Sequence, residues 1–396
     1  MSEAIHVGVF FGGRSVEHEV SVVTAQQVIA ALPADRFRAV PIYVAKNGSW
    51  YTGDALRDIA AFRDVERVLG ASTEVRMAPV PAAAGALQAQ GRRQRLFGDG
   101  GRELGRIDVA MPLIHGSHGE DGTLQGFLEL ADIAYTGCDV TASAVSMDKP
   151  LSKAVLRDAG LPVVDHAVVA RQSWEQARER VRADIVGRLR FPLFVKPATL
   201  GSSIGVSRAE DGDSLASSLD LAFAYDRRCV VEPAVLDSLD VNCSVLGYGD
   251  DVQASVCEQP VSSGVLTYAD KYLSKSGVKS GGAAATGMKG ARRLIPAPLP
   301  AAVTERVQAA ARTAFHAIGA TGVVRVDFLV SAATGEFVVN EVNTIPGSLA
   351  FYLWDHSGVP FPALVSRLVE IAQQRHAEKQ RTTYSIDTWL LRGKPA

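Results

Sequence analysis

Two extended segments toward the end of the chain constrain its fold most. VVRVDFLV (residues 323–330) and GEFVVNEVNTIPGS (335–348) are apolar runs interrupted by Arg325, Asp327, Glu341 and Asn343, where a core strand would carry valine or isoleucine. Side chains alternate between the faces of a strand, so Arg325 shares a face with Asp327 and Glu341 with Asn343. The connection SAATG is short enough for an antiparallel hairpin. If the two faces coincide, two carboxylates, an amide oxygen and a guanidinium converge on one patch. Like charges placed that closely need something positive between them, and hard oxygen donors of this kind suit Mg²⁺. The plain alternative is a solvated polar face with an Arg–Asp pair. The flanking valines and the NTIPG ending count against it.

At 396 residues the chain exceeds one average core, and two or three domains are expected. Hydrophobic residues make up 47% and charged residues 21%, as in an ordinary globular protein. A net charge of -2 without a long basic run argues against a nucleic-acid surface. No apolar run approaches the roughly 20 residues needed to cross a bilayer. The N-terminal MSEAIHVGVFFGG lacks a basic n-region and a cleavage signal and runs into a first strand. Cys138, Cys229, Cys243 and Cys257 show no CxxC spacing and suit reduced structural thiols. A soluble cytoplasmic protein without nucleic-acid or membrane partners is expected.

Along the chain, IHVGVFF (5–11) precedes a helical pattern with Val16, Val20, Val23 and Ala30 near one face, and FRAVPIYVA follows, giving a β-α-β start. Residues 80–105 suggest a surface excursion, and the strand IDVAMPLI (107–114) leads through HGSHGEDG into a helix. A helix over MDKPLSKAVLRDAGLPV opens a middle region that contains an Arg-rich helix and the strand FPLFVKPA (191–198). A third region from about 230 holds CVVEPAV, VNCSVLGY, the helix VTERVQAAARTAFHAIGA and the hairpin. The Gly/Ala/Ser/Lys-rich segment 274–293 has little to bury and is expected to be mobile.

Three loops carry further chemistry. In KPATLGSSIGVS (196–207) a strand ends in Lys196, followed by Gly201, Ser202, Ser203 and Gly205. Backbone N–H groups, hydroxyls and a lysine point charge cradle phosphate oxygens, although no GxxxxGK[ST] motif is present and a plain turn remains open. GGRSVEHEVS (12–21) sets Glu17 near a helix N-terminus, where a carboxylate is stabilised and could grip an ammonium, or simply form an acidic first turn behind a Ser15 cap. His115 follows a strand directly, a position more often structural than basic. No nucleophile elbow and no catalytic cysteine context occurs.

In this order, GGRSVEHEVS, HGSHGEDGTLQG, SMDKPLSK, FVKPATLGSSIGVS, KY after an acidic residue, RVDF and NEVNTIPG resemble the D-alanine–D-alanine ligase family of the ATP-grasp superfamily, over roughly residues 5–370. The resemblance implies an α/β fold, in part α+β, of three domains with nucleotide between the central and C-terminal ones. Their bounds would be 1–145, 146–230 and 231–376, with a mobile loop at 268–295 and a polar tail at 377–396. It implies a reaction in which ATP phosphorylates one amino acid's carboxylate and a second amine attacks the acyl phosphate, forming D-alanyl-D-alanine for peptidoglycan precursors. It also implies ATP with two Mg²⁺ or Mn²⁺ ions, and a homodimer. On the matching positions, Asp327, Glu341 and Asn343 would bind metal. Lys149, Lys196 and Ser203 would hold the phosphates, and Lys271 would approach the transferred phosphoryl group. Glu232 would reach the adenine amino group and Asp240 the ribose. Glu17 would hold the first ammonium, with His115 nearby. Ser202 and Tyr272 would orient the mobile loop. Arg325, with the backbone around Gly347, would stabilise the oxyanion.

The chain departs from that pattern in three places. Asp240 stands where the family usually has glutamate, and the loop after Tyr272 is longer and richer in glycine and alanine. Tyr352, in SLAFYLW, occupies the position of a serine that binds the second substrate's carboxylate. The phenol should reshape that pocket, so a related ligase joining D-alanine to a hydroxy acid or another amino acid is the alternative.

Overall fold

The computed structural model describes residues 4–83, 85–90, 103–261 and 293–386. Strands β1 (Ile5–Gly12), β2 (Phe37–Val44), β3 (Trp50–Thr52), β4 (Thr73–Arg76), β5 (Ala86–Ala89), β6 (Glu103–Arg106), β7 (Val109–Pro112) and β8 (Ala134–Tyr135) form an eight-stranded sheet, in the order β6-β5-β4-β3-β2-β1-β7-β8. Neighbours among β2, β1, β7 and β8 are parallel, and the remaining strands extend the sheet antiparallel. The expected β-α-β start is therefore present. The stretch 80–105, expected as an excursion, contributes β5 and most of β6, the last two strands at one end of the sheet.

Helix α1 (His18–Ala31) buries His18, Val20, Ser21, Val22, Thr24, Ala25 and Val28. That differs from the expected face: Val16 precedes the helix and is exposed, and Ala30 is exposed too. Small polar residues share the buried stripe because α1 packs against loops that bond to its Ser21 and Thr24. Hydropathy alone does not report such a stripe.

After helix α2 (Thr123–Leu130) and helix α3 (Lys149–Asp158), strands β9 (Ala167–Ala170), β10 (Leu193–Pro197), β11 (Ser207–Ala209) and β12 (Arg228–Pro233) form a four-stranded antiparallel sheet in the order β11-β10-β12-β9. The strand in CVVEPAV, placed by sequence with the third region, belongs to this sheet. Strands β13 (Ser238–Tyr248), β14 (Asp251–Pro260), β15 (Arg293–Leu294), β16 (Gly322–Ser331) and β17 (Phe337–Asn343) form the last sheet, in the order β15-β14-β13-β16-β17. Helix α4 (Ala301–Ala317) covers it through Val303, Val307, Ala311, Ala314 and Phe315.

Helices α5 (Phe351–His356) and α6 (Phe361–Lys379) close the described chain, and α6 runs into the segment expected as tail. One apolar cluster unites Val7, Phe11 and Tyr43 of the first sheet with Ile345, Leu349, Trp354, Leu364 and Val369. The segment after the hairpin thus packs on the first sheet, which brings the NTIPG loop against α1. All four cysteines are buried free thiols.

Candidate functional site

The β16–β17 register pairs Asp327 with Glu341 and Arg325 with Asn343, so all four side chains leave one face. On the other side of β16, Asn242 lies opposite Asp327 and Ser244 opposite Arg325, and Glu258 of β14 lies opposite Asn242. The result is a polar row across four strands, Glu258, Asn242, Asp327, Glu341. Arg325 donates from Nε and Nη2, one edge of its guanidinium, to the two Asp327 oxygens at 2.6 and 2.7 Å, and Asn343 Nδ2 donates to Asp327 Oδ2 at 3.0 Å. Burial works against the Arg325 charge, but the Asp327 carboxylate outweighs it and holds the guanidinium's pKa well above its ordinary value. Among the described residues no three His, Cys, Asp or Glu side chains gather as a metal cluster. The hard-oxygen set on this face is two carboxylates and one amide. That set fits Mg²⁺, which takes few protein oxygens and leaves positions for phosphate and water.

The phosphate-type loop stands at the end of β10 and is tightly anchored. Asp226 Oδ2 accepts from Thr199 N at 2.7 Å and Thr199 Oγ1 at 2.9 Å. Lys149, at the start of α3, donates from its backbone to Ala198 O at 3.0 Å and from Nζ to Leu200 O at 2.5 Å. Ser202 and Ser203 both adopt left-handed backbone, φ 54° and 58°. Such strain in a turn clusters at functional sites and can aim successive N–H groups at an anion. Lys196 Nζ donates to Asn340 Oδ1 at 3.2 Å and forms an ion pair with Glu232. Glu232, expected at the adenine, thus spends both oxygens on lysines, the second being Lys153 at 2.8 Å. Burial would raise the Glu232 pKa; the ammonium groups of Lys196 and Lys153 prevail and bring it to about 2. The Lys149 pKa is lowered by burial, then raised by Glu341 and lowered by Lys196, so the hairpin face and this loop form one electrostatic site.

A second pocket of charge sits at the α1 N-terminus. Ser15 accepts the Glu17 N–H at 3.1 Å, but the helix starts at His18, with Glu17 itself in the cap position and buried. Ser202 Oγ donates to Glu17 Oε1, tying the phosphate loop to α1. The glycines around this carboxylate have a reason: a Cβ on Gly116 (φ 72°) would lie 2.7 Å from Glu17 Oε2, and one on Gly201 3.0 Å away. Glu120, overlooked in the sequence, accepts from Gly116 N at 2.7 Å and Ile345 N at 2.9 Å. Burial, then the charge of Glu17, pushes the Glu120 pKa up to about 8. His115 contacts Thr24 Oγ1 through Nε2 at 3.0 Å, and its ring also bonds to the Ile345 backbone. Burial brings its pKa down to about 4, so the imidazole is neutral and fastens the NTIPG loop. Gly347 is buried and precedes three left-handed residues, Ser348, Leu349 and Ala350, with Ser348 N donating to Thr24 Oγ1 at 3.2 Å.

Tyr352 is buried and donates to Glu258 Oε1 at 2.9 Å. Asp240 lies two residues before Asn242 on β13, on the same face and half-buried. Lys271, Tyr272 and almost all of the loop 268–295 lie outside the described residues. Sequence reasoning also missed Lys153, Asn242, Glu258 and Asp226. The alternating polar residues of DVNCSV and the lone glutamate of SVCEQP were the available signals for two of them.

This site, three sheets meeting at cationic loops and an acidic hairpin, has counterparts in known proteins. Residues 6–138 match the family described as D-ala D-ala ligase N-terminus and residues 155–370 the one described as D-ala D-ala ligase C-terminus. A D-alanine--D-alanine ligase of Heliobacterium modesticaldum is 39% identical over 380 residues, covering 95% of this chain and 96% of that protein. The D-alanine--D-alanine ligase A of Escherichia coli K12 is 35% identical over 383 residues, with 95% and 97% covered. Among solved structures, the D-alanine-D-alanine ligase from Coxiella burnetii superposes with TM-score 0.79 at 30% identity, covering 96% of this chain and 97% of that one. The VanG D-Ala:D-Ser ligase from Enterococcus faecalis gives 0.76 at 29% identity, with 93% and 100% covered. The fold is thus the ATP-grasp α/β architecture of these enzymes. The chain belongs to the D-alanine–D-alanine ligase family.

Proposed function

We propose that this protein joins two D-alanine molecules at the expense of ATP, for peptidoglycan precursor synthesis. The observation that carries the proposal is the β16–β17 register, which sets Arg325, Asp327, Glu341 and Asn343 on one face beside Lys149 and Lys196. Phosphoryl transfer to a carboxylate brings anions together, and the need is for positioning and charge screening more than for a protein nucleophile.

Glu17 holds the ammonium of the first D-alanine, in the glycine-lined pocket beside Ser202. Lys149, Lys196 and Ser203 bind the ATP phosphates, Lys271 joins them at the transferred group, and Tyr272 with Ser202 orients the closing loop. Glu232 lies at the adenine end and fixes the Lys196 ammonium; Asp240 takes the ribose. Asp327, Glu341 and Asn343 would hold two Mg²⁺ or Mn²⁺ ions, which supply screening of the phosphate charge. The first carboxylate attacks the γ-phosphorus and ADP leaves. The second amine then attacks the acyl carbon, and the carbonyl oxygen becomes an oxyanion facing Arg325 and the backbone near Gly347. Phosphate departs as its C–O bond breaks and carries away the proton that the amine releases. Closure against water protects the acyl phosphate from hydrolysis.

We further infer three domains, with the boundary expected at 230 moved beyond β12 to about 234, a nucleotide site between the last two domains, a homodimer through the first, and a cytoplasmic location. No helix among the described residues is long and apolar enough to cross a membrane. A second reading keeps this chemistry with another second substrate, a hydroxy acid or a different amino acid; the tyrosine at position 352 favours it. One assay separates the two. Purified protein is incubated with ATP, Mg²⁺ and D-alanine, with phosphate release and product mass measured. Absence of D-alanyl-D-alanine sinks the first reading, and products formed only from mixtures support the second.

A further inference from the structure

The hydroxyl of Tyr352 is directed at Glu258, so it does not serve a ligand as the family's serine would. The same carboxylate accepts from Asn242 Nδ2 at 3.0 Å and Arg293 Nη1 at 3.2 Å. The Arg293 guanidinium lies 4.0 Å from the Tyr352 ring centroid, within cation–π range. Strands β13, β14 and β15 and helix α5 thereby close a network whose ion pair is nearly sealed, with 11% exposure for Arg293 and 1% for Glu258. Tyr352 and Glu258 both act electrostatically on Arg325, so the network adjoins the guanidinium assigned to the oxyanion.

A buried ion pair adds little net stability over packed apolar side chains, so stability is a poor reason for this one. What Glu258 and Tyr352 accomplish is orientation: a carboxylate at one edge and an aromatic face beneath fix the plane of a guanidinium. A guanidinium fixed in that way is suited to a planar carboxylate. Resting on the ligase reading above, we propose that Arg293, held by Glu258 against the Tyr352 ring, binds the α-carboxylate of the second amino acid in place of the family's serine hydroxyl. Glu258 and Tyr352 are positioning residues. They fill room that a serine leaves open, so the second substrate is a small α-amino acid with a free carboxylate, its amine directed toward Arg325.

D-Alaninamide provides the probe, because it lacks the carboxylate that ATP activates and can enter only as the attacking amine. D-Alanine is supplied as first substrate, and D-alanine and D-alaninamide compete as nucleophiles, with both products counted by mass. The wild-type enzyme should prefer the acid. In Arg293→Met that preference should fall roughly ten- to a hundredfold, the range of one charge-assisted hydrogen bond. The KM for ATP should be unchanged. Should Arg293→Met fail to fold, Arg293→Gln, which keeps a donor for Glu258, is measured in the same way. An acid-to-amide ratio that stays at the wild-type value in the folded variant overturns the proposal, as does an equal loss for both nucleophiles. A wild-type protein that makes no dipeptide overturns the ligase reading instead; a wild-type ligase whose ratio ignores Arg293 overturns this inference alone.

Discussion

Replacing Lys153 by methionine should destabilise the chain by about 3 kcal/mol at pH 7, the lower end of what breaking a buried ion pair costs. Lys153 and Glu232 are each 3% exposed and 2.8 Å apart, and Lys196 holds the other oxygen. Breaking a buried pair by removing one partner costs about 3–5 kcal/mol, and the remaining lysine puts this case at the lower end. Linkage sets an upper bound. The Glu232 carboxyl sits at about 2 in the folded chain against an ordinary 4.5. At about 1.4 kcal/mol per tenfold change in proton affinity, that difference is worth roughly 3 kcal/mol, supplied by Lys196 first and Lys153 second, so it is an upper bound for Lys153. Because the folded value is the lower one, the stabilisation is present above pH 4.5 and is lost as pH falls through 2. Urea unfolding at pH 7 and in acid measures both effects, and the variant should show a shallower acid loss. The double variant Lys153→Met/Glu232→Gln should be less unstable than the sum of the two single variants, since either single change already breaks the Lys153–Glu232 pair, although Lys196 then lacks its counter-charge. A cost below about 1 kcal/mol for Lys153→Met, or a double variant as unstable as the sum of the singles, would refute the argument.

Arg325→Ala should lower kcat by about 10²–10³-fold while leaving ADP affinity, measured by calorimetry, within a few fold, because in the proposed reaction the guanidinium serves a charge that exists only during acyl transfer. Equal losses in both would make Arg325 a nucleotide ligand. Gly116→Ala places a methyl 2.7 Å from Glu17 Oε2 on a left-handed residue, so kcat/KM for D-alanine should drop by about a hundredfold with nucleotide binding intact. The Glu120 carboxyl, raised to about 8 from an ordinary 4.5, contributes stability that is complete below pH 4.5 and is lost as pH rises through 8. Wild-type melting temperature should therefore decline from pH 6 to 9, and the slope should flatten in Glu120→Gln.

The hairpin was legible because its chemistry contradicts its setting: charged residues at alternate positions of an apolar strand imply a shared face, and the Asp327–Glu341 register realises it. The loop after Lys196 was legible as a turn from its glycines and serines, but composition alone did not separate a phosphate cradle from a plain turn. Glu120 was not, because GEDG offers two adjacent acids and only the fold shows that Glu120 turns inward while Asp121 caps nearby backbone. Lys153 was hidden for a related reason. In a helix with Arg157 and Asp158 it looks like one more solvated charge, and its burial depends on Glu232, 79 residues later in the sequence. Long-range ion pairs leave no periodicity.

The face of α1 was misjudged for a different physical reason, and it explains how the site is held together. A helix packed only on a sheet buries aliphatic residues, whereas α1 also buries Ser21, bonded to Gly12 and Leu113, and Thr24, bonded to His115 and Ser348. Two loops from distant parts of the chain therefore converge on its polar stripe. Glu120 and His115 add bonds to the Ile345 backbone. The link from this assembly to the phosphate loop runs through the Ser202–Glu17 hydrogen bond. An ammonium at Glu17 would compete for that same carboxylate. With Glu17 in its proposed role, the first substrate and the loop after Lys196 are coupled at one residue, where binding energy can be converted into positioning of the loop.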